Sequence, residues 1–153
     1  MKKAIIILLA VAMFLILASC SGGKNAKTAE DIIKAFSDAG IPVTDVAVYN
    51  EKTDPNEKLG KPNQYTSKAN FNDERIKKET EDNTEKTPDG GTVEVFGNKK
   101  DADTRREYLE NIYESMPFMS EHIFQKDAIL VRVNMSLTAE QAQEYENVLK
   151  ALD

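Results

Sequence analysis

The sequence predicts an α+β domain, a small antiparallel sheet of about four strands covered on one face by three helices, in the order α-β-(long loop)-β-α-β-β-α. Three observations carry that expectation. Three segments pair a capping residue with apolar side chains at helical spacing, starting near Thr28, Asp101 or Asp103, and Thr138. Four short β-rich runs lie among them. Two of these runs, His122–Gln125 and Ala128–Val133, are joined by a tight turn at Lys126-Asp127.

Thr28 can cap the first helix, with Glu30 and Asp31 in the first turn, where negative charge is favourable. Ala29, Ile32, Ile33, Phe36 and Ala39 form its inner face, Gly40 stops it and Pro42 prevents continuation. Val43–Tyr49 then reads as a strand. From 50 to 90 the pattern predicts one long loop. Asn50–Asn70 is crowded with turn formers, and Asp73–Asp89 holds seven acidic and four basic residues with Ile76 as its one large apolar side chain. Gly90-Gly91 reads as a turn feeding the strand Thr92–Phe96. The second helix presents Ala102, Tyr108, Leu109, Ile112, Tyr113 and Met116, and Pro117 ends it. After the hairpin, Thr138-Ala-Glu-Gln141 is a capping box ahead of the stripe Ala142, Tyr145, Val148, Leu149 and Leu152. One core is expected, with Ile33, Phe36, Val95, Leu109, Ile112, Val131 and Leu149 inside.

The 153 residues suit a single domain, and their most apolar run lies at one end. Residues 4–18 form an unbroken apolar run behind Lys2-Lys3. At 1.5 Å per residue the run is about 22 Å long as a helix, short for a hydrocarbon core of roughly 30 Å. A positive start, a short apolar core and small residues before a cut mark a secretory signal. Without residues 1–19 the chain keeps 18 basic and 26 acidic side chains, a net charge of −8. Such an acidic chain has no electrostatic footprint for nucleic acid. One cysteine excludes an internal disulfide, and one cysteine with one histidine argues against a zinc site. No cofactor or metal is expected.

Leu17-Ala18-Ser19-Cys20 resembles the lipobox of bacterial lipoproteins at every position. The resemblance implies that residues 1–19 are removed, that Cys20 is lipidated and becomes the N-terminus, and that 20–27 tether the domain 28–153 to the outer side of a cell membrane. Several buried acyl chains, at roughly 0.8 kcal/mol per CH₂, would hold it there durably.

Candidate chemistry is sparse. His122 is the one imidazole, and no phosphate loop, nucleophile elbow or His-Glu-x-x-His helix accompanies it. The acidic run Glu79–Asp89 lacks the alternating ligand pattern of a calcium loop. The 49–71 segment mixes Tyr49, Tyr65 and Phe71 with Asn, Gln, Ser and Lys, as binding loops do, although the same aromatics can equally serve to pin a long loop onto the sheet. Tyr65 and Lys68 are the expected contact residues, with Asp54 and Asn56 shaping the turn that presents them. The stretches Thr53–Lys68, Gly90–Phe96, Ala128–Val133, Leu137–Gln141 and Tyr145-Glu146 resemble a group of small lipoproteins of low-GC Gram-positive bacteria. That resemblance implies location and fold but no catalytic residues. The expected function is therefore a non-enzymatic module binding a protein, peptide or envelope component. The alternatives are an envelope hydrolase using His122 and an inhibitor or immunity-type lipoprotein whose acidic surface suits a basic partner.

Overall fold

A computed structural model describes residues 27–77 and 89–153. The expected signal segment, Cys20, the tether up to residue 26 and the acidic stretch Glu79–Lys86 lie outside the described residues. The first helix, α1 (Ala29–Asp38), starts as its capping residues dictate: Thr28 Oγ1 accepts from the Asp31 N–H at 3.2 Å, and the Asp31 carboxylate accepts from the Thr28 N–H at 2.8 Å. Gly40, at φ +88°, supplies the left-handed turn that ends it. Strands β1 (Val43–Val48), β2 (Tyr65–Asp73) and β3 (Gly90–Phe96) follow. Helix α2 (Lys99–Ser115) leads through a 3₁₀ turn, Pro117–Met119, into β4 (Glu121–Lys126), β5 (Ile129–Asn134) and α3 (Ala139–Ala151).

The sheet has five strands in the order β1-β2-β3-β5-β4, every neighbouring pair antiparallel. The expected count of about four was short because β2 lies inside the stretch read as loop. Its residues alternate, but the second face is polar (Lys68, Asn70, Asn72), so only Ala69 and Phe71 signal a strand and the turn formers around them mask it. Gly90 and Gly91 are also strand residues and form no turn. A Cβ on Gly91 would lie 2.3 Å from the Arg132 carbonyl oxygen and 2.7 Å from the Phe71 ring. The two glycines let the β2 and β5 backbones and the Phe71 ring close over β3.

Both faces of the sheet are covered, where covering of one face was expected. On one side α1 and α3 pack on Phe71, Val93, Val95, Val131 and Val133, with Ile32, Ile33, Phe36, Tyr145 and Leu149 inside. Phe36 meets Tyr145 edge-on at 5.0 Å, and Phe71 stacks on Tyr145 at 5.5 Å. On the other side α2 and the segment between β1 and β2 close a second core of Tyr65, Phe96, Ala102, Leu109 and Leu130. Covered on both faces, every residue of β3 is buried. Ile112, expected inside, is half-buried, and Tyr108 and Met116 of the expected inner face of α2 are exposed. The cap of α2 is Asn98, whose side chain accepts from the Asp101 N–H; neither Asp101 nor Asp103 takes that place.

The two ends of the sheet differ in what reaches them. The Ala29 N–H donates to Ser67 Oγ at 2.9 Å, and Ser67, Val95 and Ile129 align across the strands. Lys27 donates to the Asp153 carbonyl, and Lys126 to the Lys150 carbonyl. The described chain therefore enters and finishes at that end. At the opposite end, roughly 20 Å away for strands of six or seven residues, stand Glu121 paired with Asn134 and Gly91 paired with Val133.

Candidate functional site

The segment between β1 and β2 is tied to the sheet around one carboxylate. Asp54 Oδ1 accepts from Lys68 Nζ at 2.8 Å and from the Asn56 N–H at 3.3 Å. Its Oδ2 accepts from Tyr65 Oη at 2.6 Å and from the Lys58 and Leu59 N–H groups at 2.9 and 3.1 Å. Burial alone would raise the Asp54 pKa, but the Lys68 ammonium, the Tyr65 hydroxyl and the backbone donors outweigh it and hold the carboxyl well below its usual range. Burial and the same carboxylate push the Tyr65 phenol up. The Lys68 ammonium also sits 5.0 Å from the Tyr49 ring centroid and 5.4 Å from that of Tyr65.

The structure thus brings all four expected binding residues together, but not as a surface. Tyr65 is 0% and Lys68 3% exposed, and Asp54 is buried beside them, so the expected contact residues face inward. Asn56 lies at the edge, its amide 3.4 Å from Tyr65 Oη. What read as a projecting loop is a lid held down on the sheet. The physical cause is a β-bulge between Tyr65 and Ser67, which turns Tyr65 onto the same face as Lys68 and Glu94.

A second polar network joins α2 to the sheet. Glu94, fully buried, accepts a two-pronged contact from Arg105 at 3.1 and 3.1 Å and lies 3.7 Å from Arg132. Arg132 also donates to Glu121 at 2.8 Å, and Tyr113 donates to that carboxylate. Desolvation opposes the Arg132 charge, yet Glu94 and Glu121 together raise its pKa. On the other face Asp73 accepts from Tyr145 Oη and Arg75 Nη2, each at 2.7 Å, and those donors hold its pKa down against burial. These carboxylates are locked to cations or phenols.

His122 sits on the α1/α3 face, aligned with Val133, with Nε2 3.2 Å from the Leu137 carbonyl oxygen. Among the described residues no carboxylate bonds to it. An open cleft of about 400 Å³ runs along α2 past Asp103, Arg106, Gln125 and Asp127. Its charges are largely matched within the helix, Lys99 to Asp103 and Arg106 to Glu110, each at 2.7 Å. Among the described residues no cluster of His, Cys, Asp or Glu is built to hold a metal ion, and no helix is long and apolar enough to cross a membrane.

The surface feature that stands out was missed by the sequence reading. Phe118 is 85% exposed, and Met116 and Met119 beside it are exposed as well. Phe118 and Met119 lie in the 3₁₀ turn between α2 and Glu121 and Met116 caps it, at the end of the sheet away from Lys27. Met135, also exposed, follows Asn134 at that same end. All three methionines of the described chain are thus at one end and none is in either core, the reverse of the residue's usual placement. The available signal was Phe118-Met119, two large apolar residues that lie beyond the helix-ending Pro117 and so belong to no helical stripe. No family model, curated protein or solved structure matches the chain.

Proposed function

We propose that this chain is a lipid-anchored, extracytoplasmic binding module that docks a partner through the Met116–Met119 tip and does not catalyse. The observation that carries the reading is the 85% exposed Phe118, flanked by exposed methionines, at the end of the sheet opposite the point where the chain enters. An anchor at Cys20 would leave that tip facing away from the membrane. Exposed apolar clusters mark interaction sites, and methionine side chains adapt to varied partners. The lipobox resemblance supports the anchor, and the inward-facing Tyr65, Lys68 and Asp54 support a rigid scaffold over a second binding loop.

The test has two arms in cells that produce the protein. Mass spectrometry of the membrane fraction should find diacylated or triacylated Cys20, and Cys20→Ala should release the chain. A photo-crosslinking amino acid at position 118 should trap a discrete partner that the same group at position 108 does not. Crosslinking indistinguishable between the two positions would overturn the docking tip. Turnover of a peptidoglycan or peptide substrate that disappears with His122→Ala would overturn the non-enzymatic reading.

A further inference from the structure

We infer that the partner of the Met116–Met119 tip is a cationic amphipathic segment, an apolar stripe flanked by Lys or Arg; this inference rests on the docking role proposed above. The tip is an apolar ridge in an acidic setting. Glu114 lies exposed in the last turn of α2, two residues before Met116, whereas Glu121, two residues after Met119, is held by Arg132 and Tyr113. That last turn contains no basic residue, so the negative end of the α2 dipole is uncompensated where it meets the ridge. Glu74 and Glu140 add exposed carboxylates at the same end of the fold, just past β2 and in the first turn of α3.

Among the described residues, both arginines there are already engaged. Arg132 is held by Glu94 and Glu121, and Arg75 by Asp73 and Glu144. Lys77 remains as the one other basic side chain that the described residues place near this end. An anionic membrane or an acidic peptide would meet like charge at the rim. A basic amphipathic segment satisfies both parts of the surface. Its apolar stripe covers Phe118 and the thioethers, and its cations reach Glu114 and the helix end.

The test uses the protein purified from the membranes of cells that produce it, held in phosphatidylcholine nanodiscs. The probes are three labelled peptides: a Leu-striped helix flanked by Lys, the same stripe flanked by Glu, and a scramble of the first that has no stripe. Fluorescence anisotropy is read against empty nanodiscs. The Leu/Lys helix should bind one to one, about tenfold or more weaker to Phe118→Ser. It should bind several-fold weaker to Glu114→Lys and unchanged to Tyr108→Ser, a control on exposed α2 surface. The Leu/Glu helix and the scramble should bind far more weakly. Equal binding to wild type and Phe118→Ser by every peptide would overturn the inference and remove the tip as a docking site. Binding of the Leu/Glu helix that depends on Phe118 would overturn the cationic class while leaving the docking tip intact. Phe118-dependent association with phosphatidylglycerol vesicles would overturn it in favour of a lipid surface.

Discussion

Asp54→Ala should be among the most damaging single substitutions outside the two cores, although it removes few apolar contacts. Lys68 is only 3% exposed, and among the described residues Asp54 is the one carboxylate paired with it. Breaking a buried pair from one side costs about 3–5 kcal/mol, because the remaining charge is left desolvated. Contacts with the Tyr49 and Tyr65 rings persist and retain about 0.5–2 kcal/mol. The Tyr65 hydroxyl and the Lys58 and Leu59 N–H groups lose their acceptor in the same stroke. A net loss of about 3 kcal/mol follows, a large share of the roughly 5–15 kcal/mol that a domain possesses. With a urea slope of about 2 kcal/mol/M, the unfolding midpoint should fall by about 1.5 M, read by circular dichroism. Lys68→Met should cost less, since Asp54 keeps Tyr65 and three backbone donors. The double variant should be more stable than Asp54→Ala alone. A loss below about 1 kcal/mol for Asp54→Ala, or a larger loss for Lys68→Met, would refute the argument that a stranded ammonium dominates.

Three further outcomes are expected. Gly91→Ala should destabilise by about 1–3 kcal/mol in the same urea titration, because its Cβ would meet the Arg132 carbonyl oxygen at 2.3 Å. Acid should unfold the domain through Asp54 and Asp73. Both have folded pKa values held below the ordinary carboxylate value, so their contribution is fully present above about pH 4 and fades as pH falls through the folded values. Melting temperature against pH should therefore drop steeply below about pH 4, and this drop should be smaller in the Asp54→Ala/Lys68→Met variant. Val131→Ala and Leu149→Ala should each cost about 1–4 kcal/mol by calorimetry, whereas Phe118→Ser should stay within about 0.5 kcal/mol, since its side chain packs on little.

The sequence by itself determined the local elements whose signals lie within a few residues. The cap at Thr28 and the capping box at Thr138 form as read, and Ile32, Ile33 and Phe36 face inward because their spacing matches one helical face. The hairpin from β4 to β5 closes on Asp127, at φ +50°, a conformation that aspartate tolerates. The α+β class followed from these pieces. Tertiary structure alone decided the rest, because the deciding contacts join residues far apart in the chain. Strand β2 is polar on one face and becomes stable only when Asp54 neutralises Lys68 and β1 and β3 take up its backbone hydrogen bonds. In a regular strand Tyr65 and Lys68 would face opposite ways; one bulge puts them on the same side and turns an expected binding loop into a buried clamp. Periodicity placed Met116 inside, yet the helix ends there and the next three residues pass beyond the edge of the sheet. Which apolar residues find cover is a property of the assembled layers, and at this end of the sheet no layer extends far enough to cover Phe118.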